Sequence, residues 1–225
     1  MSSPTPPPID AAAPTLSTAS LGGQRGERPL FRRLGLSLRP GQVTWLRGRN
    51  GRGKTSLLRL LAGLATPASG EVLFGGQPLR KLGPEWRQRL LYIAHANALK
   101  DDLTVAESLR FLSQVHGSPV SGPAITVALS RLGIERQANA LVRTLSQGQR
   151  RRVALARLAL PQPVSVWLLD EPFDALDTEG VLALNGLLAE QARRGGSALL
   201  TSHQALSLSD PVPQTLDLDD FAVAG

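Results

Sequence analysis

Leucines alternate with small or polar residues over residues 34–38, and this period of two predicts a half-buried strand. A proline–glycine turn follows at 40–41, and the apolar segment 43–46 predicts a second, more buried strand. Over residues 54–64 the apolar positions take the spacing of a helix with one buried face. The period therefore changes from strand to helix across the glycine-rich segment that separates the last two elements.

Helix and strand patterns keep alternating through the rest of the chain. Residues 71–74 predict a further strand, and amphipathic patterns predict two helices within a helical insert over roughly 96–144. The later elements are predicted as helix 149–160, strand 164–169, helix 179–193, strand 198–201 and strand 215–218. Alternating strands and helices predict an α/β fold with a largely parallel core sheet.

The first 20 residues have a different composition from the rest of the chain. They contain five prolines, many serines, threonines and alanines, and a single charge. Such a segment has too few apolar side chains to bury a core. We therefore predict a disordered tail over residues 1–20 and one folded domain over residues 21–225.

Composition removes several classes of function. The 225 residues include no cysteine, which excludes disulfides, cysteine-ligated zinc, cysteine-ligated iron–sulfur clusters and a thiol nucleophile. No apolar run approaches the roughly 20 residues of a membrane-spanning helix. The net charge of +7 favours an anionic partner, or it reflects a composition in which arginine supplies nearly all the positive charge.

Residues 48–55 fit the pattern G-x-x-x-x-G-K-[ST], between a predicted strand and a predicted helix. Glycines let the backbone wrap around phosphates, and successive N–H groups at the helix start attract anionic oxygens. Lys54 is expected to reach the β- and γ-phosphates of ATP, and Thr55 to bind Mg²⁺ through its hydroxyl. The predicted nucleotide-binding residues here are Gly48, Arg49, Asn50, Gly51, Arg52, Gly53, Lys54, Thr55 and Ser56.

A second candidate site lies where the apolar strand 166–169 ends in two carboxylates. Ligands of parallel sheets bind at the carboxyl ends of the strands. Asp170 is therefore predicted to hold Mg²⁺, directly or through water. Its neighbour Glu171 is predicted to polarise an attacking water as general base.

Three further segments complete a known set of motifs. They are Leu-Ser-Gln-Gly-Gln at 145–149, Asp-Ala-Leu-Asp at 174–177 and Thr-Ser-His at 201–203. With the phosphate loop and the acidic strand end, this order resembles the nucleotide-binding subunits of ABC transporters, over residues 21 to about 218. The resemblance implies a P-loop NTPase fold of the ABC type, with a parallel core sheet, an antiparallel β subdomain and a helical insert.

The resemblance also implies how the residues work together. Two such domains would close head to tail around two ATP molecules, so that Ser146, Gly148 and Gln149 face the partner's nucleotide. His203 would contact the γ-phosphate, and Asp177 would couple the two sites. A separate membrane-spanning subunit would be driven by the ATPase, and no nucleic acid partner is expected.

Four positions depart from the family pattern. The family's signature motif has two adjacent glycines in the segment that corresponds to 145–149, and Gln147 replaces the first of them. Arg52 replaces a small residue in the phosphate loop. Arg25 lies near the position of the aromatic residue that stacks on adenine. His95 occupies the position of the glutamine that the family uses at its catalytic site, so we include it among the catalytic residues.

With His95, the segments 148–157 and 202–204 are similar to the ATP-binding subunits of cytochrome c maturation haem exporters. This similarity implies a peripheral protein at the cytoplasmic face of the bacterial inner membrane. The alternatives are the ATPase of another ABC transporter and a soluble ABC ATPase scaffold of iron–sulfur assembly. Repair ATPases need a longer insert than the 92 residues between Lys54 and Ser146, and translation ATPases carry two cassettes. The run of three arginines at 150–152 could meet a partner or form a solvated helix face.

Overall fold

A computed structural model describes residues 15–203 and 207–223, which form two β-sheets with helices around them. The strands are β1 (Leu16–Arg25), β2 (Arg28–Leu34), β3 (Ser37–Leu38), β4 (Val43–Arg47), β5 (Ser69–Phe74), β6 (Gln77–Pro78), β7 (Leu90–Ile93), β8 (Val166–Leu169), β9 (Ser197–Thr201) and β10 (Gln214–Asp217). The α-helices are α1 (Lys54–Leu61), α2 (Val105–Val115), α3 (Gly122–Arg131), α4 (Gln147–Ala156) and α5 (Thr178–Arg193).

The central sheet is parallel, in the order β10-β4-β9-β8-β7. Strands β8 and β9 are buried along their whole length, as expected for a parallel sheet covered on both faces. The glycine-rich segment follows β4, and the acidic pair follows β8. Parallel pairing therefore brings both candidate motifs to the same carboxyl edge of the sheet.

The second sheet is antiparallel, in the order β2-β1-β5-β6, with β3 also paired to β1. It packs against the face of the parallel sheet that also carries α1. The leucines of α1 that the periodicity predicted as buried, Leu57, Leu58, Leu60 and Leu61, lie in this shared core. The predicted combination of a parallel core sheet and an antiparallel β subdomain is confirmed.

The opposite face of the parallel sheet packs against helices α3, α4 and α5. Side chains alternate along β8, so that Trp167 and Leu169 enter this core while Val166 and Leu168 enter the other. Helices α2 and α3 lie within the range predicted for the helical insert. A capping box between Thr104 and Glu107 begins α2.

The start of the ordered chain differs from the prediction. Residues 1–14 lie outside the described residues, but residues 15–20 are not disordered, and that part of the tail prediction is wrong. Strand β1 begins at Leu16, which is fully buried and lies opposite Phe74 on one side and Leu38 on the other. The pairing with two strands far along the chain stabilises a segment whose own composition indicates no structure.

Two further features concern the sheet and the membrane. Strand β7 forms an edge of the parallel sheet and was absent from the elements predicted by periodicity. Within the described residues, no helix has the length and apolar character needed to cross a bilayer.

Candidate active site

The phosphate loop connects β4 to α1 with its backbone in conformations that glycine allows. Gly51 and Gly53 have φ values of +78° and +104°, which side chains rarely adopt. A Cβ atom on Gly53 would also lie 2.9 Å from Leu30 Cδ1. Lys54 Nζ donates to the Gly48 carbonyl at 2.7 Å, so the ammonium folds across the mouth of the loop. The N-terminus of α1 and this ammonium provide positive potential for an anionic ligand.

Arg52, one of the departures from the family pattern, points away from the loop's ligand face. Its Nε lies 2.8 Å from Asp219 Oδ1, and the Arg49 amide donates to Asp219 Oδ2 at 3.1 Å. Asp219 belongs to the short helical turn after β10. The turn after β10 therefore contacts the phosphate loop on the side away from its ligand face, and the charge of Arg52 is paired with Asp219 on that side.

The acidic pair is fixed by two threonines. The Thr55 hydroxyl donates to Asp170 Oδ2 at 2.8 Å, and the Thr201 hydroxyl donates to Asp170 Oδ1 at 3.0 Å. Thr201 Oγ1 also accepts the Glu171 amide at 2.7 Å. Asp170 is only 3% exposed, so these hydrogen bonds compensate for burying its carboxylate. One side chain on β9 thus sets the backbone position of Glu171 and the carboxylate of Asp170.

Glu171 presents its carboxylate to the segment that follows β9. The His203 amide donates to Glu171 Oε2 at 3.1 Å, and His203 Nε2 lies 3.5 Å from Glu171 Oε1. Glu171 has a φ of +47°, a left-handed conformation that is uncommon for a residue with a side chain. Such strain is retained where the surroundings fix it, and it is frequent at catalytic positions.

These groups line one open cleft of about 410 Å³ at the carboxyl edge of the parallel sheet. The lining residues are Arg25, Leu30, Asn50, Gly51, Gly53, Lys54, Thr55, Ser56, His95, Asp170, Glu171, Asp174 and His203. His95 follows β7, and its Nδ1 lies 3.6 Å from Asp174 Oδ2. The structure thus brings together most of the residues predicted from the phosphate loop, the acidic strand end and the two histidines.

The donor set of the cleft fits a magnesium ion that is also bound by substrate phosphates. No group of three or more histidine, aspartate or glutamate side chains that could hold a metal occurs in residues 15–203 and 207–223. Thr55 Oγ1 and Asp170 Oδ2 lie together at the cleft, and hard oxygen ligands of this kind suit Mg²⁺. The protein would supply these two groups, leaving the other positions to phosphate and water.

The signature segment, residues 145–149, lies outside the lining of this cleft. Ser146 caps α4 and forms a capping box with Gln149. A Cβ on Gly148 would lie 2.8 Å from the Ala175 carbonyl, so glycine is required for the close approach of α4 to residues 174–177. Gln147, the departure from the family signature, begins α4 with an exposed side chain.

Asp177 also lies apart from the cleft, at the start of α5. Its side chain accepts the Gly180 amide at 2.9 Å and pairs with Arg152. The hydrogen bond from Gly180, followed by that from Arg152, lowers the pKa of the Asp177 carboxyl. Arg152 in turn donates to the carbonyl of Leu132, which follows α3 in the helical insert. The residues 174–177 are therefore tied to α4 and to the insert.

Sequence reasoning missed two contributors and left one open. Asp219 lies in no motif, and Thr201 begins the Thr-Ser-His segment but was given no role of its own, so that only their three-dimensional contacts give them a place in the site. The arginine run 150–152 was left open between a partner surface and a solvated helix face, and its central residue is neither. Arg151 is 3% exposed and donates to backbone carbonyls beneath the cleft.

Comparison with known proteins agrees with this geometry. Residues 31–174 match the family model described as ABC transporter. A cytochrome c biogenesis ATP-binding export protein of Aromatoleum aromaticum is 44% identical over 94% of this chain and 98% of its own length. The protein of the same description from Pseudomonas fluorescens is also 44% identical, over 94% of this chain and 99% of its own.

Solved structures of lower identity share the fold. An ABC transporter ATP-binding protein from Pyrococcus furiosus superimposes with a TM-score of 0.78 at 23% identity, covering 92% of this chain and 99% of its own. A dimeric bacterial ABC transporter cassette gives a TM-score of 0.78 at 21% identity, covering 90% and 94% of the two chains. The chain belongs to the ABC transporter family, in the group of the cytochrome c biogenesis ATP-binding export proteins.

Proposed function

We propose that this chain is the ATP-hydrolysing subunit of a transporter complex required for cytochrome c maturation. The observation that carries the proposal is the 44% identity, over nearly the whole chain, to cytochrome c biogenesis ATP-binding export proteins. The cleft supports it, because a phosphate loop faces a buried aspartate and a glutamate held by hydrogen bonds. The exported substrate is proposed to be haem or a haem-linked group delivered to the periplasm.

ATP would bind with its phosphates against the loop amides of residues 50–56 and the ammonium of Lys54. Thr55 and Asp170 would hold Mg²⁺, which supplies charge neutralisation for the phosphate oxygens when it is bound. The adenine would lie toward Arg25 and Leu30, which line the same cleft. A guanidinium plane can stack on an aromatic base, so Arg25 serves where the family pattern has an aromatic side chain.

Glu171 would act as the general base for hydrolysis. Its carboxylate takes a proton from a water molecule while the water oxygen attacks the γ-phosphorus. The bond from the γ-phosphorus to the β–γ bridging oxygen breaks, and ADP and inorganic phosphate leave. His203 supports this step because its amide donates to Glu171 Oε2 and fixes the carboxylate. His95 would orient water or the γ-phosphate from the other side of the cleft.

A second copy of the chain would complete the site. Ser146, Gly148 and Gln149 lie outside the cleft of their own protomer, and the N-terminus of α4 presents positive potential. In a head-to-tail homodimer, these residues would face the γ-phosphate bound by the partner. Asp177 would then transmit the state of one site to the other through its contact with Arg152.

A separate membrane-spanning subunit would be driven by ATP-dependent closure of this dimer, with the chain bound peripherally at the cytoplasmic face of the bacterial inner membrane. The test is purification of the tagged chain from membranes solubilised in mild detergent, followed by identification of co-purifying proteins. We expect a polytopic subunit of the cytochrome c maturation system. A polytopic subunit of another transporter, or an iron–sulfur assembly protein in its place, would contradict the proposal.

A further inference from the structure

A buried arginine links the signature helix to the backbone beneath the catalytic cleft. Arg151 lies in the second turn of α4, and its whole guanidinium group is engaged with neutral oxygen atoms. Its hydrogen bonds run from Nε to Pro172 O at 3.3 Å, from Nη1 to Ala94 O at 3.0 Å, His95 O at 3.5 Å and Asn97 Oδ1 at 3.0 Å, and from Nη2 to Asp170 O at 2.9 Å and Glu171 O at 2.7 Å.

These acceptors belong to the carboxyl ends of two neighbouring strands. Residues 94–97 follow β7 and include His95, whereas Asp170 and Glu171 follow β8. The guanidinium is planar and presents its donors in a fixed fork, so it holds both strand ends at one spacing. The guanidinium also fixes the position of both strand ends relative to α4, whose N-terminus is the signature segment.

Burial of this charge without an ion pair is costly. Among the described residues, no carboxylate lies within ion-pair distance of Arg151, and burial lowers the pKa of its guanidinium. The carboxylates of Asp174, Asp170 and Glu171 oppose that shift from farther away. Six hydrogen bonds to fixed oxygens offset the desolvation, which is the arrangement expected of a group retained for its geometry.

The hydrogen bond from Arg151 to the Glu171 carbonyl fixes the backbone of the residue proposed as general base. The Glu171 carbonyl, which accepts from Arg151 Nη2, belongs to the residue with a φ of +47°. Strained conformations persist only where surrounding contacts fix them, and here Arg151 and Thr201 bind the two sides of the same residue. Removing the Arg151 contact would let the backbone relax and turn the carboxylate away from the cleft.

We propose that Arg151 is a positioning residue for hydrolysis. It holds the backbone of Glu171 and of His95 in register with the signature helix, so that movement of α4 reaches the general base directly. This inference rests on the proposed function, because it requires Glu171 to be the base. Arg151 is not among the residues that line the cleft, and its effect should therefore fall on turnover and not on ATP affinity.

The test compares Arg151→Gln and Arg151→Lys with Arg150→Gln, a neighbour on α4 that pairs with Asp101 at the helical insert. For each purified full-length variant, kcat, KM and the dissociation constant of a fluorescent ATP analogue are measured, with turnover expressed per nucleotide-binding site. We expect kcat to fall about tenfold or more in Arg151→Gln, with affinity within twofold, because small displacements of catalytic groups have effects of this size. Arg151→Lys should recover only part of the rate, since an ammonium cannot bridge both strand ends.

Retention of wild-type kcat per binding site in Arg151→Gln would overturn the inference, as would equal effects in Arg150→Gln. If Arg151→Gln does not fold, Arg151→Lys decides, because it keeps the charge and loses the fork. Glu171→Gln, assayed in parallel, distinguishes a failure of the proposed base from a failure of the proposed role of Arg151. If Glu171→Gln retains turnover, the assignment of the base fails, whereas a stalled Glu171→Gln beside a fully active Arg151→Lys removes only the role of Arg151.

Discussion

Replacing Glu171 by glutamine is expected to stop ATP hydrolysis while leaving ATP binding intact. The amide keeps the shape of the side chain and can still accept the His203 amide hydrogen, but it cannot take a proton from water. We expect kcat to fall by about 10²–10⁴-fold, the range typical of losing a general base. Phosphate release at saturating MgATP measures the rate, and light scattering with ATP should detect a stable dimer that the wild-type chain forms only transiently.

The matched control is Glu135→Gln, an exposed glutamate in the helical insert that changes the net charge by the same amount. It should hydrolyse ATP at the wild-type rate and show no ATP-dependent dimer. Turnover of Glu171→Gln within a few-fold of the wild-type rate would remove Glu171 from the role of base. The carboxylates beside it in the cleft, Asp170 and Asp174, would then be the remaining groups to test.

Replacing Lys54 by alanine is expected to abolish both tight ATP binding and hydrolysis. Lys54 supplies the ammonium at the mouth of the phosphate loop, where its Nζ already donates to the Gly48 carbonyl. The loss of one preorganised donor at the position where charge develops costs about 10²–10³-fold in rate. Equilibrium binding of a fluorescent ATP analogue and phosphate release together measure the two effects.

Lys81→Ala serves as the control for this variant, because Lys81 is exposed on the β subdomain and lies outside the cleft lining. It should bind and hydrolyse ATP normally. If purified Lys54→Ala turned over ATP at a comparable rate, the cleft described above would not be the hydrolytic site. The prediction for Glu171→Gln differs from this one in that the nucleotide remains bound, and so the pair distinguishes chemistry from binding.

The motifs could be predicted from sequence because each is a local pattern with a direct physical reason. A loop of glycines before a lysine and a helix, and a buried strand that ends in two carboxylates, place Lys54 and Asp170 at a sheet edge. The order of the motifs then implied the ABC-type fold, which the topology of both sheets and the comparisons confirm.

Long-range contacts without a local pattern could not be predicted. Residues 15–20 have the composition of a linker, yet they form a strand because β3 and β5 supply hydrogen-bonding partners from later in the chain. Strand β7 was also missed, although it has the same length of four residues as β8, which was predicted. In both cases tertiary pairing overrides the local preference, which is weak for strands in general.

The roles of individual arginines were equally hard to predict without knowing their contacts. Three adjacent arginines on α4 have three different surroundings, since Arg150 meets Asp101, Arg151 is buried beneath the cleft, and Arg152 meets Asp177. Arg52 was predicted among the nucleotide-binding residues, whereas it pairs with Asp219 on the side of the loop away from the cleft. A sequence shows that such charges exist, and only the packed structure shows which of them are structural.

ATP hydrolysis by this chain is expected to be required for cytochrome c maturation. The most direct measurement is haem staining of periplasmic c-type cytochromes in a deletion strain of the bacterium that encodes the chain, complemented with the wild-type gene or with Glu171→Gln at equal expression. Covalently bound haem should be detected only with the wild-type gene, while apocytochrome is still made in every strain. Normal haem staining in the deletion strain, or with Glu171→Gln, would show that ATP hydrolysis by this chain is not required.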